Sequence, residues 1–460
     1  MSNSVPPSNT VSDLTGLNCA QGLCTFLGLV LLISALLMPF LPIPGVIPGG
    51  ALCLIALMNV PRMRLSARII ALVVVIFGLF TLTSNSAHLD PALQRAGFLA
   101  AFLVSLGLLS SAAERCKDVR KAATVVASQP QGSRYLFVTL GTHILSVFLN
   151  FGAASLMGSL LSRRLDELRQ QKSVLQLTLA LLRGFAAMPM WSPLALSMII
   201  TLSMVPEVSY LDILPWGLLG GAIYITTGYF ISRGIRAGAS VQAGKSSVDE
   251  RAAILKVLLR VCGLVGATFG LYLATDLQLP ACVFYASLAF SMTWILVQYC
   301  SGGVPAPTVT FSHAVNGGIN EIVMVSGAGF LGVVIAQSIG ALEVLPQLLP
   351  GMLPLIAASI PVLMVLGGLI ALNPIVTASV LLGLLHPVWP QEQMLWLAVP
   401  TILGWGITAS SSPFTANVLI ATRLMGLSSA TTVYRGNGVL TLLSLGVACV
   451  VPALSLILLQ

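Results

Sequence analysis

The chain reads as an all-α integral membrane protein of about eleven transmembrane helices plus two re-entrant helical hairpins, arranged as two inverted repeats. Composition, the placement of Arg and Lys, and two matched sets of helix breaks predict it. Of 460 residues, 57% are hydrophobic and only 8% are charged, and mean hydropathy is +0.97. Apolar runs of roughly 17 to 25 residues recur from Leu27 to the end, each long enough to cross about 30 Å of hydrocarbon as a helix. They leave no room for a soluble domain.

The formal net charge is +8, but the basic residues gather in a few short loops. That is the positive-inside pattern of a membrane protein and excludes a nucleic-acid footprint. The eight Cys are scattered through apolar segments without CxxC or metal-ligand spacing, so they read as reduced packing residues and no metal site is expected. The first 23 residues, a cytoplasmic tail, hold no Lys or Arg. The n-region of a signal peptide is therefore missing, and the first apolar segment is expected to stay as a helix.

Assigning the basic loops to the cytoplasm sets the topology. Arg62, Arg64 and Arg68 form one loop; Arg115, Lys117, Arg120, Lys121 and Arg134 belong to the next; Arg163, Arg164, Arg169 and Lys172 form a third. A long linker at 233 to 256 carries Arg233, Arg236, Lys245, Arg251 and Lys256. The loops with Asp90, with Glu207 and Asp212, and with Asp276 read as external. Only one apolar stretch, 135 to 161, separates the second and third basic loops, so a single crossing would put one of them outside. A hairpin that enters, turns at Asn150-Phe151-Gly152 and leaves by the same face keeps both inside, with arms too short to span.

From there the expected helices run 24 to 41, 46 to 60, 68 to 84 and 96 to 113, then the hairpin, a broken helix at 174 to 205 and a helix at 213 to 232. After the linker come 257 to 275, 279 to 300 and 319 to 340, a second hairpin at 350 to 385, a broken helix at 394 to 425 and a last helix at 437 to 459. The repeats are then 24–232 and 257–460, with the N-terminus cytoplasmic and the C-terminus external. Ser247-Val248-Asp249-Glu250 resembles a capping box that starts the second half.

Three anchors recur in the same order. Ala96-Gly97-Phe98-Leu99 returns as Ala328-Gly329-Phe330-Leu331, and the Leu-Asn tip at Asn150 returns at Asn373. Gly-aromatic, six residues, then Ser-Pro occurs at Gly184 to Pro193 and again at Gly404 to Pro413. The charge-derived topology runs the first member of the Ala-Gly-Phe-Leu pair inward and the second outward, so the repeats are inverted.

Proline lacks an N–H and clashes with the preceding turn, so Ser192-Pro193 and Ser412-Pro413 should open their helices within the membrane. A freed backbone group in hydrocarbon costs several kcal/mol, and such breaks persist where protein, water or a ligand satisfies it. The breaks therefore point to a binding site. Carbonyl ends suit a small cation and half-helix N-termini favour an anion. The candidate residues are Asn150, Gly152, Ser155, Ser192 and Pro193 in the first half, and Asn373, Thr377, Ser379, Ser411, Ser412, Pro413, Thr415 and Asn417 in the second. Arg183 reads either as a counter-charge for an anionic solute or as a side chain reaching the cytoplasmic face. His143 is a candidate proton carrier set against a packing role, and Glu321 suits the start of a helix. With no carboxylate placed at mid-membrane, sodium held by carbonyl, amide and hydroxyl oxygens is the expected coupling ion, and no other cofactor is expected. The Gly266-Ala267-Thr268-Phe269-Gly270 run reads as ordinary helix packing.

Taken together, these hairpins and breaks resemble the ion transporter superfamily, which includes divalent anion/sodium symporters and arsenite permeases. The resemblance covers nearly the whole chain and implies an elevator-type secondary transporter in a bacterial-type inner membrane, working as a homodimer, with tips at Asn150 and Asn373 and breaks at Ser192-Pro193 and Ser412-Pro413. The symporters' Ser-Asn-Thr signature is missing from both tips, so dicarboxylate specificity does not carry over and a small organic or inorganic anion is the expected substrate class. Proton coupling, cation/proton antiport and uncoupled permeation stay open as alternatives, as does a non-transport polytopic protein. An enzyme is not expected: the four His fall in separate segments and no HExxH or paired-carboxylate motif occurs.

Overall fold

The computed structural model describes residues 19–84, 86–163, 171–233, 248–302, 305–340 and 348–459. Most of the N-terminal tail and of the linker, Ser247 of the capping box, and Arg164 and Arg169 of the third basic loop lie outside these. The described residues are predominantly helical, with turns and short irregular connections and no strand. In order they form α1 (Cys19–Leu37), α2 (Val46–Asn59), α3 (Leu65–Ser84), α4 (Leu89–Arg115), α5 (Lys117–Ala127), α6 (Gln131–Leu149), α7 (Phe151–Ser162), α8 (Gln171–Ala187), α9 (Leu196–Met204) and α10 (Tyr210–Arg233). The second half holds α11 (Val248–Ala274), α12 (Leu279–Cys300), α13 (Pro307–Gly317), α14 (Ile319–Gly340), α15 (Leu353–Leu369), α16 (Pro374–Leu385), α17 (Leu395–Ser411), α18 (Ala416–Leu424), the single turn α19 (Ser429–Thr431), a π-helix (Thr432–Asn437) and α20 (Gly438–Leu458).

Among the described residues, nine helical stretches are long and apolar enough to cross a membrane. This is an all-α, multi-pass membrane protein. A further helix, α10, has the length at 24 residues, with Gly, Thr and Tyr diluting its apolar character. The expected crossing at 46 to 60 falls short: α2 has 14 residues, about 21 Å at 1.5 Å per residue against about 30 Å of hydrocarbon. Pro61, in the 3₁₀ turn (Val60–Arg62) that follows it, helps to set that limit.

Two short helices went unread in the sequence. α5 hides among charges, yet its Val119, Ala122, Ala123 and Ala127 recur at helical spacing and are buried. It packs on α11, α6 and α7. Asp118 in its first turn meets Arg260 at 2.9 Å and Lys256 at 3.6 Å on α11. Partial burial pulls the Asp118 carboxyl upward, but the Arg260 hydrogen bond and both positive charges outweigh it and hold the group below its ordinary value. The other, α13, packs on α1 and α4.

The packing is crosswise. Within each half, the first arm of a helical hairpin lies on the first segment of the broken helix that follows, α6 on α8 and α15 on α17. Between halves the second segments exchange partners: α9 packs on α16, and α18 packs on α7. α4 against α14 and α8 against α17 complete the pairing across the middle.

Candidate functional site

The repeated Gly-aromatic pair explains how the broken helices approach the hairpins. A Cβ on Gly184 would stand 2.2 Å from the Thr139 carbonyl oxygen of α6, and one on Gly404 would stand 2.7 Å from Pro361 Cα of α15. Only glycine lets the backbones come this close. The next residues, Phe185 and Trp405, then face a shared cavity.

Each break contains its Ser-Pro. α8 ends at Ala187 and passes through a 3₁₀ turn (Met188–Met190) before Ser192 and Pro193; α17 ends at Ser411, directly before Ser412 and Pro413. Pro193 and Pro413 leave the carbonyls four residues back without their helical donors. Side chains four residues beyond the prolines take them. Ser197 Oγ donates to Pro189 O, and Asn417 Nδ2 donates to Ala409 O at 2.6 Å, where Thr415 Oγ1 also donates at 3.1 Å. The chain then enters α9 and α18, nine residues each, through Ala195 (φ −75°, ψ 138°) and Thr415 (φ −67°, ψ 145°). Neither position caps its helix with a side chain, so the first N–H groups of both helices lack side-chain cap bonds.

The tips differ. α6 and α7 are joined by Asn150 alone at φ 46°, a region that Asn tolerates better than most residues. α15 and α16 are joined through Ala371 at φ 66° and Asn373, whose Oδ1 accepts from Ile375 N at 2.9 Å as an N-cap ahead of Pro374.

Both tips and both breaks meet at one cavity of about 160 Å³. Asn150, Asn373, Thr415 and Asn417 line it, as do Phe185, Met188, Pro189, Ala195, Leu196 and Ser197 of the first break and Trp405, Ala409, Phe414 and Ala416 of the second. It extends past Asn320 and Glu321 at the start of α14 to Arg64 and Ser66 ahead of and within α3, where Asn320 Oδ1 accepts from Arg64 N at 2.7 Å. Glu321 is the one carboxylate among the described lining residues.

Other sequence-predicted residues sit around this cavity without lining it. Gly152 gives Glu114 and Ser110 of α4 room, since a Cβ there would meet Glu114 Oε1 at 2.6 Å. Ser155 is exposed. Ser412 ties break to hairpin, donating to Gly368 O at 2.7 Å and accepting from Phe414 N at 3.1 Å. Ser411 bonds Ile407 O and Thr441 Oγ1, and Thr377 packs beside Gly367 in the second hairpin. Ser192 and Ser379 are fully buried, and their hydroxyls meet no hydrogen-bond partner. Pro193 and Pro413 act through the carbonyls they release.

Arg183 lies away from the cavity and is 1% exposed, and each of its three guanidinium nitrogens is hydrogen-bonded. Its Nε donates to Asn437 Oδ1, its Nη1 reaches Tyr135 Oη, Gly228 O and Ser232 Oγ, and its Nη2 donates to Gly436 O, all at 2.7 to 3.0 Å. The guanidinium thus pins α6, α8, α10 and the π-helix together. Arg183 is not among the residues that line the cavity, and the acceptors around its guanidinium are protein oxygens. His143 Nε2 accepts from Trp191 Nε1 at 3.1 Å, which leaves Nδ1 to donate to Gly184 O at 3.0 Å. That geometry suits packing.

Ser197, Phe185, Trp405 and Asn320 are among the lining residues that the sequence did not single out as site residues. Extending the Ser-Pro register by four residues pairs Ser197 with Asn417 and was the available signal. No protein-family model and no curated protein matches the chain. Among solved structures, the crystal structure of the Alcanivorax borkumensis YdaH transporter, described as having an unusual topology, is similar at 16% identity and a TM-score of 0.45, covering 79% of this chain and 85% of that one.

Proposed function

We propose that this chain is a secondary active transporter that moves a small anionic solute across the cell membrane by elevator-type alternating access, coupled to sodium. The observation that carries the reading is the convergence of both tips and both breaks on one cavity. Four helix N-termini border it: α7 after Asn150, α9 at Ala195, α16 at Asn373 and α18 at Thr415. Their partial positive charges favour an anion. The carbonyl ends of the first break and of α15 supply oxygens suited to sodium. Under this reading the hairpins α6–α7 and α15–α16 are re-entrant, and the crosswise packing of the halves supports an inverted repeat. The cavity reaches the basic Arg64 loop, which the charge rule puts in the cytoplasm, so it opens inward.

Uptake into proteoliposomes, screened over small anions with imposed sodium or proton gradients, tests this. Sodium-stimulated uptake of at least one anion is expected, with loss in an Asn150→Ala/Asn373→Ala variant. No flux of any solute would refute a transporter. Glu321 in the cavity wall favours a second reading, proton coupling: flux driven by a proton gradient and lost in Glu321→Gln would replace sodium with a proton.

A further inference from the structure

A second cavity, of about 930 Å³, lies against α11 and α12, away from the tips and breaks. Its two ends differ in chemistry. At one, Arg115 closing α4, Lys117 opening α5 and Arg260 on α11 meet Gln298 on α12. Beyond them the walls turn apolar, through Trp294, Phe290, Ala289, Ala286, Tyr285 and Leu271. From Gln298 to Tyr285 the groove follows α12 for about 20 Å at 1.5 Å per residue.

The polar end is incompletely satisfied. Arg260 Nη2 donates to Asp118 Oδ2 at 2.9 Å, and its guanidinium stands 5.2 Å from the Trp294 ring, but its Nη1 is buried and meets no acceptor. Gln298 Nε2 donates to Ala112 O at 2.9 Å, while its Oε1 is buried without a donor. Arg115 Nη1 is held by Thr310 Oγ1, and Lys117 is exposed. The two N–H of Arg260 Nη1 lack an acceptor and the Gln298 Oε1 lacks a donor, beside a surplus of positive charge. Asp118 offsets a single charge there and is shared with Lys256.

We propose that this groove binds an anionic glycerophospholipid, its phosphate at Arg260, Lys117 and Arg115, a headgroup hydroxyl on Gln298 Oε1, and an acyl chain along α12. Basic pockets between membrane helices at the headgroup level hold acidic lipids by this combination, and an apolar trough continuous with the cations selects a lipid over a free anion. The occupant would bridge α4 and α5 to α11 and α12. It is independent of the solute cavity and of what that cavity carries.

Native mass spectrometry of the full chain, delipidated and then given phosphatidylglycerol, phosphatidylethanolamine or inorganic phosphate, tests the site. Retained phosphatidylglycerol adducts are expected, with little phosphatidylethanolamine and no phosphate. Each cation contributes roughly a fivefold share of affinity near the membrane surface, so Lys117→Gln/Arg260→Gln should hold the lipid about 25-fold more weakly. Ala289→Phe fills the trough without touching a charge and should also remove the adduct, which keeps the test valid if the double variant misfolds. Equal retention of both lipids, or adducts unchanged in Ala289→Phe, would overturn the proposal. So would phosphate retained as well as lipid, or a dimer lost in Ala289→Phe while lipid stays, which would assign the groove to a second copy of the chain.

Discussion

In the first hairpin-and-break unit, the carbonyl released by Pro193 is taken by a single hydroxyl, Ser197; in the second, the carbonyl released by Pro413 is taken by both Thr415 and Asn417. Ser192 lies buried with an idle hydroxyl, whereas its counterpart Ser412 makes two bonds, one to Gly368 O of α15 and one from Phe414 N within the break. The tips repeat this balance. Asn373 spends its Oδ1 on capping α16, while Asn150 makes no cap and turns the chain in a single residue. At the break and the tip the second unit is thus satisfied more fully by protein groups than the first, although Ser379 on α16 also keeps an idle hydroxyl. In the first, Asn150 lines the cavity, while the idle Ser192 hydroxyl is buried and does not line it.

The largest effect should come from the close crossings. Gly184→Ala puts a methyl onto a backbone carbonyl at 2.2 Å, while Gly404→Ala meets Pro361 Cα at 2.7 Å; overpacking of this kind costs about 1–3 kcal/mol or more. Melting temperatures in detergent should fall in both, further for Gly184→Ala, and equal falls would show that the crossings are equally tolerant. Next, Ser197→Ala strands Pro189 O in a buried site at a cost of about 1–3 kcal/mol, whereas Asn417→Ala leaves Thr415 in place on Ala409 O and should cost roughly half as much. A larger loss for Asn417→Ala would break the claim of redundancy. Smaller still, Ser412→Ala should lose about 1 kcal/mol, and Ser192→Ala should be neutral in stability because no bond is lost. If Ser192→Ala keeps its melting temperature but lowers solute flux at least about tenfold, a loss of roughly 1.4 kcal/mol, the idle hydroxyl is a ligand; unchanged flux assigns it to packing.

The Ser-Pro register was the most legible part of the site. It located both breaks, and the Leu-Asn pairs located both tips, because proline and turn residues act through local backbone chemistry. Arg183 was less legible. Its position within an apolar run marks a costly charge, but its partners lie on α6, α10 and the π-helix, far away in sequence. α5 was masked by its own charges, since its buried face is made of Ala and Val rather than large apolar residues.

From the sequence alone come the membrane class and the places where helices stop at Ser-Pro and at Leu-Asn, since hydropathy and proline constrain the chain within a turn or two of where they occur. Which side chains share a cavity was decided only by tertiary packing. Asn150 and Asn373 reach the same space because α9 crosses to α16 and α18 crosses to α7. Ser155, Thr377 and Ser411 belong to the same motifs yet do not line that space, because a helix sends neighbouring residues to different faces and only its packing partners decide which face is inside.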